Sequence, residues 1–301
     1  MTRYLSVSLS DGTAAAGILD EDGGIRVLAR GVPGDHSPMR RLLMAGELAS
    51  TEPESDVIPL SQVTVLPPVP DPGKIVAAPV NYTDHQTEMS EVVHIGSLGV
   101  FLKAPTSLIA DGGVVRLPYH DRRFDQEGEL AVVIGRRASH VDEANALEHV
   151  VGYTCLLDMT MRGGEDRSTR KSFDTFTPMG PLLVTPDEVG PLDQLRLITR
   201  VNGDRRQDAD IADLIWDVPK LISYVSSVMV LEPGDVIATG TPAGVGQIHD
   251  GDEISVEVGR VGTLTVLVSA QDAVACPTSG ARRGPLPPSE LTPVRNSSEA
   301  S

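Results

Sequence analysis

The sequence predicts a mixed α/β, β-rich fold: a barrel or sandwich of many short strands with peripheral helices, preceded by a small N-terminal module. Three observations carry this. From Lys74 to about Leu267, short Val- and Ile-rich runs alternate with Gly, Pro and Asp, which punctuate strands and turns. Few windows in that stretch have a helical period. Aromatic residues make up only 3% of the chain, so the core must rest on Val, Leu, Ile and Ala.

The elements follow in order. Residues 1–70 read as a small β-rich module, with strands over 4–9, 14–19 and 25–29 broken by Asp11-Gly12 and by the acidic, Gly-rich turn 20–24. An amphipathic helix is expected over 38–48. The proline-rich stretch 66–73 is stiff and marks the boundary to a larger domain over 71–272. Within that domain, acidic residues suited to a helix N-terminus open a helix over 142–151. A second helix over 217–229 has Pro219 near its start and Leu221, Ile222, Val225 and Met229 on one face. The tail, 273–301, is rich in Pro, Ser and Gly with no apolar period and reads as disordered.

Composition narrows the function. The chain has 301 residues and a net charge of -17, which argues against binding to nucleic acid or to an anionic membrane. No window reaches the length of a membrane span, and the N-terminus lacks the apolar core of a signal peptide. Two cysteines are too few for a disulfide framework, and Cys155 sits in an apolar run as a small hydrophobe. A cytoplasmic protein is expected.

The most informative residues are Glu127 and Glu129, at the start of an apolar run ending at Gly135. On a strand, residues two apart point to the same side, and two like charges there repel unless a cation lies between them. Asp158 closes another apolar run, 150–157. Three convergent carboxylates at strand ends suit a hard divalent cation, although a Glu-x-Glu pair alone also suits a solvated edge. Four residues after Asp158 begins a cationic segment with Arg162, Arg167, Arg170 and Lys171 among Glu165, Asp166 and Asp174. It reads either as a solvated loop of weak ion pairs or as an anion clamp beside a metal. His85 and Glu88 are three apart, so one helical turn sets them side by side. A carboxylate there orients an imidazole and raises its basicity.

These pieces, in this order, resemble the fumarylacetoacetate hydrolase family. The resemblance runs from Lys74 to Val258 through Asn81-Tyr82, His85, Glu88, Phe101-Leu-Lys-Ala-Pro105, Glu127-Gly-Glu129, Asp158, Arg162 and Lys171-Ser-Phe-Asp174. It continues through Gln207 and the run from Leu231 to Gly246. It implies a mixed β-roll, usually homodimeric, around a divalent cation: Mg2+ or Mn2+, with Ca2+ open. On that pattern Glu127, Glu129 and Asp158 are the metal ligands, Lys171 meets developing negative charge, and Arg162 and Thr241 line the substrate pocket. His85 and Glu88 sit on a lid and activate water. Gln207 could reach substrate or merely cap a turn.

The expected partner is a small 2-oxo or 2,4-dioxo acid, and the expected activity is hydrolysis of a carbon–carbon bond in an acylpyruvate. The same site also suits a decarboxylase or isomerase of aromatic catabolism, or an inactive binding homologue. Two positions depart from many family members: Leu157 stands where Asn is usual, and Glu165 where Gln is usual. A negative charge at Glu165 is expected to disfavour a second carboxylate on the substrate.

Overall fold

The N-terminal strands and the strands after residue 71 share one sheet. The protein, a computed structural model, is described over residues 3–294. Tyr4 and Arg3 pair antiparallel with Leu183 and Val184, which joins strand Arg3–Ser8 to strand Thr177–Val184. Among the described residues this builds a 12-stranded sheet. It runs from the N-terminal strands Val57–Pro59, Gly24–Arg30, Ala14–Leu19 and Arg3–Ser8 through Thr177–Val184, Val150–Leu157, Gly128–Ile134 and Val236–Ala238 to Ile75–Ala77 and Phe101–Lys103. The 1–70 segment thus extends the sheet of the larger domain, because an unpaired edge at Thr177–Val184 would leave backbone groups without partners.

A 5-stranded sheet, from Asp204–Asp210 through Arg196–Val201, Glu253–Val258 and Gly262–Ser269 to Val114–Arg116, packs across the middle of the large one. Leu130 and Val132 of the large sheet share one core with Leu197, Val256, Leu264 and Val266 of the smaller. Each such aliphatic side chain contributes about 1.5–3 kcal/mol by burial, which an aromatic-poor sequence must collect from many small residues. Cys155 is one of them, buried opposite Leu130. A 3-stranded sheet of Phe124–Gln126, Thr160–Met161 and Gly246–Gln247 closes one end of the roll.

Helices are peripheral. Pro38–Ala45 starts on a Ser37 cap and stops before residue 48 because Gly46 turns left-handed, with φ 69°. Val218–Val228 starts on Asp217, whose side chain accepts from the Lys220 amide, and buries Leu221, Ile222 and Val225. The helix expected over 142–151 is instead a 3₁₀ segment, Glu143–His149, which buries only Ala146. It has no apolar face to sustain α-packing, and Val150 is drawn into the ladder opposite Ile134. Within the expected tail, Thr278 contacts Glu165 and Thr292 contacts Glu88. Residues 295–301 of that expected tail, and Met1 and Thr2 of the N-terminal module, lie outside the described residues.

Candidate metal and catalytic site

Glu127 and Glu129 do come together, but not as neighbours on one strand face. Strand Phe124–Gln126 belongs to the small sheet and Gly128–Ile134 to the large one, so Glu127 stands where the chain passes between them. The crossing depends on Gly128. A Cβ there would lie 2.0 Å from Thr199 Oγ1 and 3.0 Å from Val256 Cγ2. Asp158 follows its strand directly, and its amide donates to the Glu127 carbonyl at 2.8 Å. One carboxylate oxygen from each of Glu127, Glu129 and Asp158 lies within 4.8 Å of the others, and all three residues are buried.

Cations hold two of these acids. Lys171 Nζ donates to Glu127 Oε2 at 2.6 Å, Asp158 Oδ2 at 2.5 Å and Thr160 Oγ1 at 2.7 Å. Lys103, buried at the end of Phe101–Lys103, donates to Asp158 Oδ1 and to the Phe176 carbonyl. Arg162 pairs with Glu127 at 2.9 Å and donates to Asp125 Oδ2 at 2.7 Å. Burial raises the Glu127 carboxyl, but Lys171 and Arg162 outweigh it and hold the group far below its usual range.

Glu129 differs. Its Oε2 accepts from the Gly240 amide at 2.7 Å, and no side-chain cation pairs with it among the described residues. Burial and the Asp158 charge therefore push its carboxyl well above the usual range. A buried acid short of a cation, flanked by two more carboxylates, is the donor set a hard divalent ion fits.

The other wall of the pocket is carried by short helices. Thr83–Glu88 brings His85 to the pocket, where His85, Glu127, Glu129, Lys171 and Thr241 are lining groups. His85 Nδ1 lies 3.1 Å from Glu88 Oε2, which sits behind it. Glu88 Oε1 accepts from the Gly244 amide at 2.9 Å and from Thr292 Oγ1. Burial raises the Glu88 carboxyl, but the bonds from His85, Thr292 and Gly244 together leave it lowered. The root of this helix is fixed by Asn81, whose amide donates to the Trp216 and Thr239 carbonyls and accepts from the Trp216 amide. Val80, which also lines the pocket, has φ 47°, a left-handed conformation that costs a β-branched residue about 1–3 kcal/mol.

Two expected pocket residues lie behind it. Arg162 is spent on Asp125 and Glu127 and is absent from the lining. Gln207 is fully buried, with its Oε1 accepting from the Gly128 amide and its Nε2 donating to Thr241 Oγ1 and the Pro242 carbonyl. It braces Gly128 and Thr241 and has no amide group left for substrate. The negative charge expected to act at Glu165 is also answered. Arg122 donates to both of its oxygens, at 2.9 and 2.8 Å, and Thr278 adds a third bond. Those contacts lower the Glu165 carboxyl to about 2 and turn it toward the C-terminal segment.

Sequence reading singled out neither Asp125, Arg122 nor Thr292. Asp125 lies two residues before Glu127, a weak signal. Arg122 and Thr292 had none, because their partners are 43 and 204 residues away.

The sequence profile of the fumarylacetoacetate (FAA) hydrolase C-terminal family matches residues 74–269. The chain belongs to the fumarylacetoacetate hydrolase family. The maleylpyruvate hydrolase of Aquipseudomonas alcaligenes is 46% identical to it over 220 residues, covering 69% of this chain and 77% of that protein. The crystal structure of maleylpyruvate hydrolase from Sphingobium sp. SYK-6, solved in complex with manganese (II) ion and pyruvate, is similar with a TM-score of 0.74. It is 35% identical and covers 89% of this chain and 99% of that one. The 5-carboxymethyl-2-hydroxymuconate delta-isomerase from Mycobacterium smegmatis also has a TM-score of 0.74, at 32% identity over 89% of this chain and 100% of that one.

Proposed function

We propose that this protein is a divalent-metal-dependent hydrolase that cleaves a carbon–carbon bond in an acylpyruvate. The observation that supports it most is the meeting of two sets of groups on one pocket: the buried acids Glu127, Glu129 and Asp158, and the His85–Glu88 pair opposite them. Hydrolysis needs a base to activate water. A His oriented by a buried carboxylate supplies that base.

Glu127, Glu129 and Asp158 would hold Mn2+ or Mg2+, and the bound ion would act as a Lewis acid toward the 2-oxo acid end of the substrate. The rest of the chemistry belongs to the chain. Glu88 takes the proton on His85 Nδ1 as a hydrogen-bond partner, which leaves Nε2 as the acceptor. His85 Nε2 removes a proton from water as the oxygen attacks the distal carbonyl carbon. The bond between that carbon and its neighbour breaks, and its electron pair passes to the pyruvyl fragment as an enolate. Lys171 Nζ, within reach of Glu127 and Asp158, stabilises the negative charge that develops there. Reprotonation of the enolate carbon gives pyruvate, and the acyl part leaves as a carboxylic acid.

The test is a panel of acylpyruvates and of oxaloacetate, with products read by mass spectrometry in the presence and absence of chelator. Pyruvate and a carboxylic acid in equal amounts, dependent on added Mn2+, support the hydrolase. Release of carbon dioxide from oxaloacetate, or a product of unchanged mass, with no water-dependent cleavage, selects a decarboxylase or an isomerase instead.

A further inference from the structure

The family match ends at residue 269, yet the chain beyond it returns to the site. Residues 276–294 are held at both ends. At the start, the Cys276 amide donates to Asp121 Oδ1 at 2.8 Å, and Arg122 Nη1 donates to Thr278 Oγ1 at 3.0 Å. The Gly164 amide donates to the Gly280 carbonyl at 3.0 Å, beside the bond from Thr278 to Glu165. From 283 to 294 the chain runs without helix or strand. Gly284, with φ 79°, passes so close that a Cβ there would lie 2.7 Å from the Gly163 carbonyl oxygen. Pro285 then lines the pocket with His85 and Lys171, and Pro287 is buried. Leu291 packs on Gly246, where a Cβ would lie 2.7 Å from Leu291 Cδ2. Pro285, Pro287, Pro288 and Pro293 reduce the entropy lost in ordering this path.

The far end reaches the helix Thr83–Glu88. Thr292 Oγ1 donates to Glu88 Oε1, and Thr292, Pro293 and Val294 line a cavity with Asp84, Thr87 and Glu88. The helix has six residues, and among the described residues no side chain caps its start. So short a helix depends on tertiary contacts. The Glu88 carboxylate divides its two oxygens. Oε2 faces His85 Nδ1 at 3.1 Å, while Oε1 accepts from the Gly244 amide at 2.9 Å and from the Thr292 hydroxyl. A carboxylate held by one donor can turn about that bond. Two donors on Oε1 fix its plane, and with it the direction in which Oε2 meets the imidazole. The Glu88 side chain is only 1% exposed, so the hydroxyl also fills an acceptor site that bulk water does not reach.

We propose that residues 276–294 form a strap that completes the site, and that Thr292 is a positioning residue acting through Glu88 on His85. With Thr292 in place, Glu88 keeps its hold on Nδ1 and Nε2 is left for water. The use of His85 as a base rests on the hydrolase reading above, whereas the strap does not. The group that orients the base is thus itself oriented by a segment outside residues 74–269.

The experiment uses the full chain with Mn2+ and whichever acylpyruvate of the panel is cleaved fastest. It compares the wild type, Thr292→Val, Thr292→Ser, Glu88→Ala, and Glu88→Ala combined with Thr292→Val. Thr292→Val keeps the shape and removes the hydroxyl. It is expected to lower kcat about 10-fold with KM changed by less than about twofold, as for one lost hydrogen bond to a charged group. Thr292→Ser keeps the wild-type kcat. In the Glu88→Ala background Thr292→Val has no further effect, because its action runs through Glu88. Hydrogen exchange reads the strap apart from the reaction: the amides of 83–88 exchange about 10-fold faster in Thr292→Val. An unchanged kcat in Thr292→Val, an equal loss in Thr292→Ser, or a further loss in the Glu88→Ala background overturns the positioning role. Unchanged exchange overturns the strap. A wild type that cleaves no acylpyruvate, with exchange still faster in Thr292→Val, overturns the hydrolase reading and the role of Thr292 in it but leaves the strap.

Discussion

The two walls of the pocket are built differently. On the strand wall, Glu127, Glu129 and Asp158 sit at sheet ends, buried, with their backbone tied into the ladders on either side. Lys103 and Arg162 from behind, and Lys171 from the pocket itself, fix two of the three acids. On the other wall, His85, Glu91, Arg167 and Arg170 ride on or near helices of six residues or fewer, held by side-chain bonds such as those at Glu88 and not by a strand ladder. The difference is instructive. A metal site needs its ligands placed within a few tenths of an ångström, which sheets deliver, and the same site can then serve many substrates. Short helices and loops are where a substrate's distal end can be read, because they change with little cost to the core.

Substitutions on each wall should therefore fail in different ways. The largest effect is expected from Glu127→Gln combined with Glu129→Gln, which should lower acylpyruvate cleavage by at least about 1,000-fold, measured with added Mn2+. Lys171→Met should cost about 100- to 1,000-fold in kcat, because charge developing on the leaving fragment loses its counter-ion. Steady-state rates against KM separate that loss from a loss of binding. On the helical wall, Glu88→Gln should lower kcat by about 10- to 100-fold while leaving Mn2+ affinity intact, since it disturbs the orientation of His85 and touches none of the three acids. Equal damage to metal binding there would break the division between the walls.

The stability cost belongs to the strands. Gly128→Ala brings a Cβ against Thr199 and Val256, and is expected to destabilise the fold by about 1–3 kcal/mol, read from urea unfolding. The smallest effect concerns the tail anchor. Glu165 is held at about 2 against an ordinary 4.5, chiefly by its bonds from Arg122. A lowered carboxyl contributes stability that is present above pH 4.5 and lost as pH falls toward 2. The stability gap between the wild type and Glu165→Gln should therefore be widest at neutral pH and should close on acidification. A gap that does not change with pH would contradict the contact.

How much of this was legible in the sequence depended on how local each relationship is. Asp158 at the end of an apolar run and His85 one helical turn from Glu88 were readable, because chain spacing alone sets them. Glu127 and Glu129 were readable as a pair but for a different geometric reason, since the chain changes sheets between them and only Gly128 permits the crossing. Gln207 looked available to substrate because sequence cannot show that the Gly128 amide, Thr241 and Pro242 occupy its side chain. The strand pairing of the N-terminal segment with Thr177–Val184 and the reach of Thr292 to Glu88 are long-range, and composition made that tail look structureless.

The claim on which the rest depends is that Glu127, Glu129 and Asp158 form one cation site. Its most direct test is a titration of the purified, metal-stripped protein with Mn2+, followed by electron paramagnetic resonance, in the wild type and in Glu129→Gln. One ion bound per chain in the wild type, with affinity lowered about 100-fold or more in the variant, is the expected result. No stoichiometric binding, or equal affinity in the two proteins, would contradict it.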